Sequence, residues 1–386
     1  MRIAIVLDYS LDLIGGAQRA ALNEAAALSA EGHRVLLIAP RPIGRAALPA
    51  GVDALWTTGR RLPLLDFPLV ADEVALRTRI HRHLRATRVD AVHLHSEFGH
   101  ARAALAAARG LGVPVVHTIH TVSWPALPAP LRLAARRLLA GLAGPVAART
   151  ANPLLDHTLA VAQQADVVIS PSAHQAADLA RFGVEHVAVL PNCDRESSAP
   201  VPLPDTAHLR VAWTGRCVPE KRLLTFVHAV RLAQRRLPED RLRVAVAGDG
   251  HLLPLARALG RDVPGLVLLG RLDAAGVRRL LDASHVSALT SLGFDNQPMT
   301  VVEAVRAGRG VLHTDPRLRE GLDRAGLLTA TPDAGGIAEL LVELALDRRR
   351  VDIAAAGARA TAPLFAPRTH VDRLLPLLTG ERTLAA

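Results

Sequence analysis

The chain has 386 residues, half of them hydrophobic, with 46 basic and 36 acidic side chains and a net charge of +10. That length suits two domains with real cores, and the lack of a Gly-X-Y period or low-complexity tract excludes fibrous and disordered classes. Two cysteines exclude a disulfide framework, no run approaches the ~20 apolar residues of a spanning helix, and Met1–Asp8 is too short for a signal peptide, so a reducing, cytoplasmic setting is expected.

All but one of the basic residues are arginine; the exception is Lys221. The charge is spread, with 20 basic and 16 acidic residues over 1–200 and 26 and 20 over 201–386. Nucleic-acid binding concentrates its charge and interleaves aromatics for stacking, so no nucleic-acid partner is expected.

Residues 2–7 form an apolar run suited to a strand buried on both faces. Gly15-Gly16 follows, then a helical stretch over 17–31 ended by Gly32, then a second run, Val35 to Ala39. Further strands are predicted at 89–94, 113–119, 166–169 and 187–190, with helices near 99–110 and 173–182. The polar, proline-rich stretch 195–208 reads as a linker. Strands then recur near 209–214, 242–247, 264–269, 285–289 and 310–313, with helices near 221–237, 251–259, 274–282, 298–307 and 335–346. Repeated βαβ implies parallel sheets, so the fold class is α/β with two Rossmann-like domains. The expected division is 1–194, the linker 195–208, 209–365, and a C-terminal helix over 366–386 crossing back. Ligands of such sheets bind beyond the carboxyl ends of the strands, here in a cleft between two facing sheets.

Several strand ends carry chemistry. Gly15 and Gly16 let backbone N–H groups approach an anion at a helix N-terminus, or serve only to turn the chain. His93-Leu94-His95-Ser96-Glu97 and His117-Thr118-Ile119-His120 each end a strand; His95 and His120 should reach the cleft, with His93 and His117 satisfied inside the sheet. No H-x-x-E-H or H-E-x-x-H helix accompanies them, so no metal site is expected. In Gly215-Arg216-Cys217-Val218-Pro219-Glu220-Lys221 a strand ends in glycine, then arginine, with lysine five residues on at a helix start. Arg216 can fork onto phosphate oxygens and Lys221 adds a point charge beside the helix terminus, a constellation that fits a diphosphate. Gly248-Asp249-Gly250 and Gly270-Arg271 are strand-end loops where a nucleoside could lie. Asp295-Asn296-Gln297-Pro298-Met299 opens a helix on which Glu303 follows, two acids eight residues apart that can hold different hydroxyls of one ligand.

Together these residues resemble the GT-B-fold retaining glycosyltransferases of family 4. The resemblance spans nearly the whole chain through Gly15-Gly16, Thr118-Ile119-His120, Ala165 to Ser172, Leu190-Pro191-Asn192, Gly215-Arg216 with Lys221, Gly248-Asp249-Gly250 and the acid-x7-Glu element ending at Glu303. It implies a nucleotide-sugar donor bound by the C-terminal domain and a hydroxyl acceptor bound mostly by the N-terminal one. It further implies that Arg216 and Lys221 bind the diphosphate, that Glu303 holds the ribose, and that Asp295 contacts the sugar. Asn296, Gln297, Pro298 and Met299 would line the sugar, with His120 near the reaction centre. Gly16, beside Gly15, would approach the phosphates, and the Gly270-Arg271 loop would lie against the base, with Gly215 and Gly248 in the same donor pocket. His95, Glu97 and Trp124 are expected on the acceptor side. No cofactor or metal is implied.

Two positions depart from the family pattern. The first acid is Asp295 where glutamate is usual, and Asn192 is followed by Cys193 where glycine is usual. A sugar-nucleotide epimerase and a non-catalytic nucleotide-sugar-binding protein are the alternatives. Residues 131–142 form a basic amphipathic stretch that suits a solvated face or a peripheral contact with an anionic bilayer.

Overall fold

The computed structural model describes residues 1–12, 15–44, 47–58, 60–61, 68–69, 73–120, 128–195 and 199–380. The chain divides into two units, Met1–Arg195 with Pro367–Ala386, and Glu196–Ala366.

The first unit contains β1 (Arg2–Val6), β2 (Arg34–Pro40), β3 (Val52–Thr57), β4 (Arg60–Arg61), β5 (Pro68–Leu69), β6 (Ala91–Leu94), β7 (Val115–Thr118), β8 (Val167–Ser170) and β9 (Val187–Val189). Apart from the antiparallel β4–β5 pair, these form one parallel sheet in the order β3-β2-β1-β6-β7-β8-β9. Its central strands are the continuous apolar runs of the sequence, because helices cover both faces. The helix Gly16–Ala30 buries Ala21, Leu22, Ala25 and Leu28 against β1 and β2. The helix Pro367–Leu378 returns to this unit and lays Val371, Leu374 and Leu378 into the same core.

The second unit contains β10 (Leu209–Thr214), β11 (Leu242–Ala247), β12 (Leu266–Gly270), β13 (Val286–Leu289), β14 (Gly310–His313) and β15 (Gly326–Leu328), all parallel, in the order β12-β11-β10-β13-β14-β15. Both sheets reverse direction beside their first strand, at β1/β6 and at β10/β13. Such a switch point opens a crevice at the carboxyl ends of the strands.

The stretch read as a linker is fastened to the second unit from Ala199 onward. Arg278 donates to the carbonyl of Ala199 at 2.9 Å, and Arg309 donates to those of Val201 and Pro202 at 2.9 and 3.1 Å. His285 Nε2 donates to that of Pro204 at 2.9 Å, while its Nδ1 accepts from the Arg210 N–H at 3.0 Å. A proline-rich segment has few N–H groups to join a ladder, so its carbonyls are satisfied by side-chain donors. The strands β3 and β15 and the helices Val74–Thr87, Pro153–Ala162 and Arg349–Thr361 were not predicted. β3 and β15 lie at sheet edges, where partial burial dilutes the apolar run. Among the described residues no helix is long and apolar enough to cross a membrane.

Candidate functional site

In the second unit the turns after β10 and β11 pack backbone against backbone. Cys217 N–H donates to the Asp249 carbonyl at 2.7 Å, and the Cys217 carbonyl accepts from Leu252 N–H at 3.0 Å. A Cβ at Gly248 would lie 1.8 Å from the Gly215 carbonyl oxygen, and one at Gly250 2.6 Å from that of Cys217. Glycine is therefore required by close approach at both positions. Gly248 N–H also reaches the Gly270 carbonyl at 2.8 Å, which joins the turn after β12 to the other two. Arg271 beyond it is exposed. Cys217 is buried, and burial pushes its thiol up to about 11.

The predicted helix 221–237 does not begin at Lys221. A single 3₁₀ turn, Pro219–Lys221, comes first; Arg222 adopts a left-handed conformation at φ +54°, and the α-helix runs over Leu223–Gln234. Lys221 is thus the last residue of a tight turn. Its ammonium pairs with Asp295 Oδ1 and lies 5.6 Å from the centroid of the Phe294 ring. Ser291 Oγ donates to the other oxygen of Asp295. Thr290 knots the turn in place: its hydroxyl accepts from Trp213 Nε1 at 3.0 Å and donates to the Lys221 carbonyl at 2.8 Å. Lys221 and Asp295 remain 16% and 10% exposed, whereas the Arg216 side chain is 52% exposed and pairs with Glu220 at 3.2 Å.

Arg216 and Lys221 were expected to act as a pair of cations, but each already has a carboxylate partner. Asp295, expected at the sugar, holds Lys221. Thr290, Ser291, Phe294 and Glu220 were not singled out, although Glu220 lies between Arg216 and Lys221 and the other three lie within five residues ahead of Asp295. Pro298 caps the helix Met299–Arg306, Gln297 and Met299 are buried, and Asn296 and Glu303 are half-buried. Gly293 adopts φ +68° and donates its N–H to Asp315 at 2.7 Å, which orients the loop that carries Asp295.

In the first unit, Gly15 caps the helix Gly16–Ala30, and its N–H donates to Gln18 Oε1 at 3.2 Å. Gly15 has φ −88°, and among the described residues nothing lies within 4 Å of a Cβ built on Gly16. Neither glycine is needed for a left-handed turn, and among the described residues packing does not require Gly16.

His95 was expected to reach the cleft. It is buried instead, with Nε2 3.1 Å from Glu24 Oε1 and Nδ1 2.9 Å from His120 Nε2. The helix Gly16–Ala30 covers it, and its ring faces inward as that of His93 does. His120, just past β7, is half-buried. His117 is buried, and burial pushes it down to about 3. Glu97 is buried as well and accepts from Tyr9 OH at 3.3 Å; burial, then the charge of Asp8, push its carboxyl up to about 8. Asp8 accepts from the N–H groups of Phe98 and His100 at 2.8 and 2.6 Å, at the start of the helix Gly99–Leu111. Trp124 falls within 121–127, outside the described residues.

Glu24 was not singled out by the sequence, because an acid in an alanine-rich helix reads as a solvated face. Among the described residues, Glu24, His93 and His95 are the donors grouped closely enough to hold a metal ion, with their ligand atoms within 4.8 Å of one another.

The sequence profile of Glycosyltransferase Family 4 matches residues 14–193. The chain is 25% identical over 321 residues to a phosphatidyl-myo-inositol mannosyltransferase of Mycobacterium tuberculosis, covering 82% of this chain and 78% of that protein. It is 29% identical over 369 residues to a GDP-mannose-dependent alpha-mannosyltransferase of Mycolicibacterium smegmatis, covering 92% of each. Its fold is similar to that of Anabaena Alr3699/HepE, solved in complex with UDP, with a TM-score of 0.68 at 16% identity over 98% of this chain and 100% of that one.

Proposed function

The chain belongs to glycosyltransferase family 4 and has the GT-B fold of a nucleotide-sugar-dependent glycosyltransferase, and from that premise we propose that it moves a sugar from a UDP- or GDP-sugar to an acceptor hydroxyl with retention of configuration and with no metal at the diphosphate. The observation that carries the reading is the meeting of Lys221, Asp295 and Ser291 in the turns after β10 and β13.

The donor diphosphate draws Lys221 away from Asp295. Asp295 and Ser291 are then left to bond hydroxyls of the sugar. The Arg216–Glu220 pair is solvent-exposed and worth little, so Arg216 can exchange it for phosphate at small cost. Both cations then face the charge that grows on the departing diphosphate, where fixed positive charge lowers the barrier most. The acceptor hydroxyl attacks on the face the diphosphate leaves, and a diphosphate oxygen takes its proton, so no protein nucleophile is needed. Gly16 supports an approach of phosphate to the helix N-terminus, because among the described residues packing does not require its missing side chain.

Acceptor recognition falls to the first unit. There the helix Ala129–Ala143 exposes Leu131 and Leu138 on one face, suited to a bilayer surface that presents the acceptor. Its Arg136 points elsewhere, pairing with Asp156.

A panel of UDP- and GDP-sugars scored by thermal shift identifies the donor. Product analysis with candidate acceptors then checks transfer and the anomeric configuration of the product. Epimerised sugar nucleotide as the product, or binding without turnover, would replace this reading with one of the alternatives.

A further inference from the structure

A second cluster belongs to the first unit, whereas Arg216, Lys221 and Asp295 belong to the second. His93 and His95 are two residues apart at the end of β6, so their rings share a face. They meet Glu24 from the helix Gly16–Ala30 and His370 from the C-terminal helix, and all four are buried. His93 Nδ1 and His95 Nε2 lie 2.6 and 3.1 Å from Glu24 Oε1, and His370 Nε2 lies 3.0 Å from Oε2.

Hydrogen bonds alone account for this arrangement incompletely. His93 Nδ1, although close to the carboxylate, is out of line for a hydrogen bond and has no other partner among the described residues. His370 Nδ1 lies 3.0 Å from the Pro191 carbonyl.

A cation among these atoms resolves this mismatch, because it uses the lone pairs that face inward. Each ring has an outer partner to match. His93 Nε2 meets Thr118 Oγ1 at 2.7 Å, His95 Nδ1 meets His120 Nε2 at 2.9 Å, and His370 Nδ1 meets Pro191. An outer acceptor for the second ring nitrogen is how a metal-bound histidine is oriented.

We propose that Glu24, His93 and His95 are the ligands of a structural zinc-class divalent ion in the core of the first unit, with His370 Nε2 next to the fourth position. Imidazoles and one carboxylate, without thiolate, suit such an ion. The ion joins the first helix to the end of β6, beside the C-terminal helix. Its ligands must be deprotonated and are brought together only by folding, so it binds as the unit folds.

The test uses the full chain purified without a histidine tag. Elemental analysis is expected to find about one zinc per chain. Unfolding in a chelator and refolding should give a lower melting temperature, restored by zinc chloride alone. Thr118→Val removes only the outer partner of His93 and should weaken zinc about tenfold in competition with a chelating dye. Glu24→Gln and His93→Asn should abolish stoichiometric zinc; if neither folds, the wild type and Thr118→Val decide. Metal-free protein whose melting ignores both zinc and chelator overturns the proposal. So does zinc retained at equal stoichiometry by the Glu24 and His93 variants, because the ion then sits elsewhere.

Discussion

The two units share one strand order about their switch points but treat charge in opposite ways. In the first unit Asp8, Glu24, His93 and His95 are sealed beneath helices. In the second, Lys221 and Asp295 keep some exposure and Arg216 stands in solvent. A buried polar group must be satisfied inside the protein, so the first unit spends its charges on holding elements together. An exposed or half-exposed ion pair can exchange partners, so the charges of the second unit stay free to re-pair. Similar residues at similar sheet positions therefore do different work according to whether water reaches them.

Substitutions can break this contrast, and the largest effect is expected at Lys221. Lys221→Ala should lower turnover about 10²–10³-fold, the usual cost of removing one fixed donor from developing charge, with little change in melting temperature. Near-normal transfer by that variant would remove the proposed site. Next is Asp8→Ala, which strips the carboxylate from the start of the helix Gly99–Leu111. It should cost about 3 kcal/mol in urea unfolding, as expected for a buried charge bonded to backbone N–H groups. If Asp295→Asn destabilised the protein as much as Asp8→Ala, the distinction between the units would fail.

Gly248→Ala probes the second unit's backbone rather than its charges. Its Cβ would collide with the Gly215 carbonyl, so a loss of about 1–3 kcal/mol and weaker nucleotide-sugar binding are expected by calorimetry.

The smallest effect concerns pH. Burial pushes His285 down to about 4. The unfolded chain takes up that proton near the ordinary value of about 6.5. Between these values the unfolded state binds more protons, so stability present above about pH 6.5 is lost as pH falls towards 4. Urea midpoints at pH 7 and pH 5 check the sign, and His285→Gln should flatten the difference. An unchanged slope in that variant would assign the pH dependence to other histidines.

The parts of the second unit's candidate site could be read from the sequence because they lie in short motifs, with Lys221 five residues after Arg216 and Asp295 eight before Glu303. The pairing of Lys221 with Asp295 could not, since it spans 74 residues and depends on β10 lying beside β13. Glu24 was less legible still. It meets His95 across 71 residues and His370 across 346, and in its own helix nothing distinguishes it from a surface acid.

Sequence by itself determined the alternation of buried strands and amphipathic helices, the two α/β units, the helix that crosses back and the glycine-rich turns. Each of these follows from local periodicity and backbone freedom, which are properties of neighbouring residues. Tertiary structure alone decided which charge meets which and which of them water reaches. Those contacts join segments far apart in the chain, so they exist only once the sheet order and the helix covers are in place.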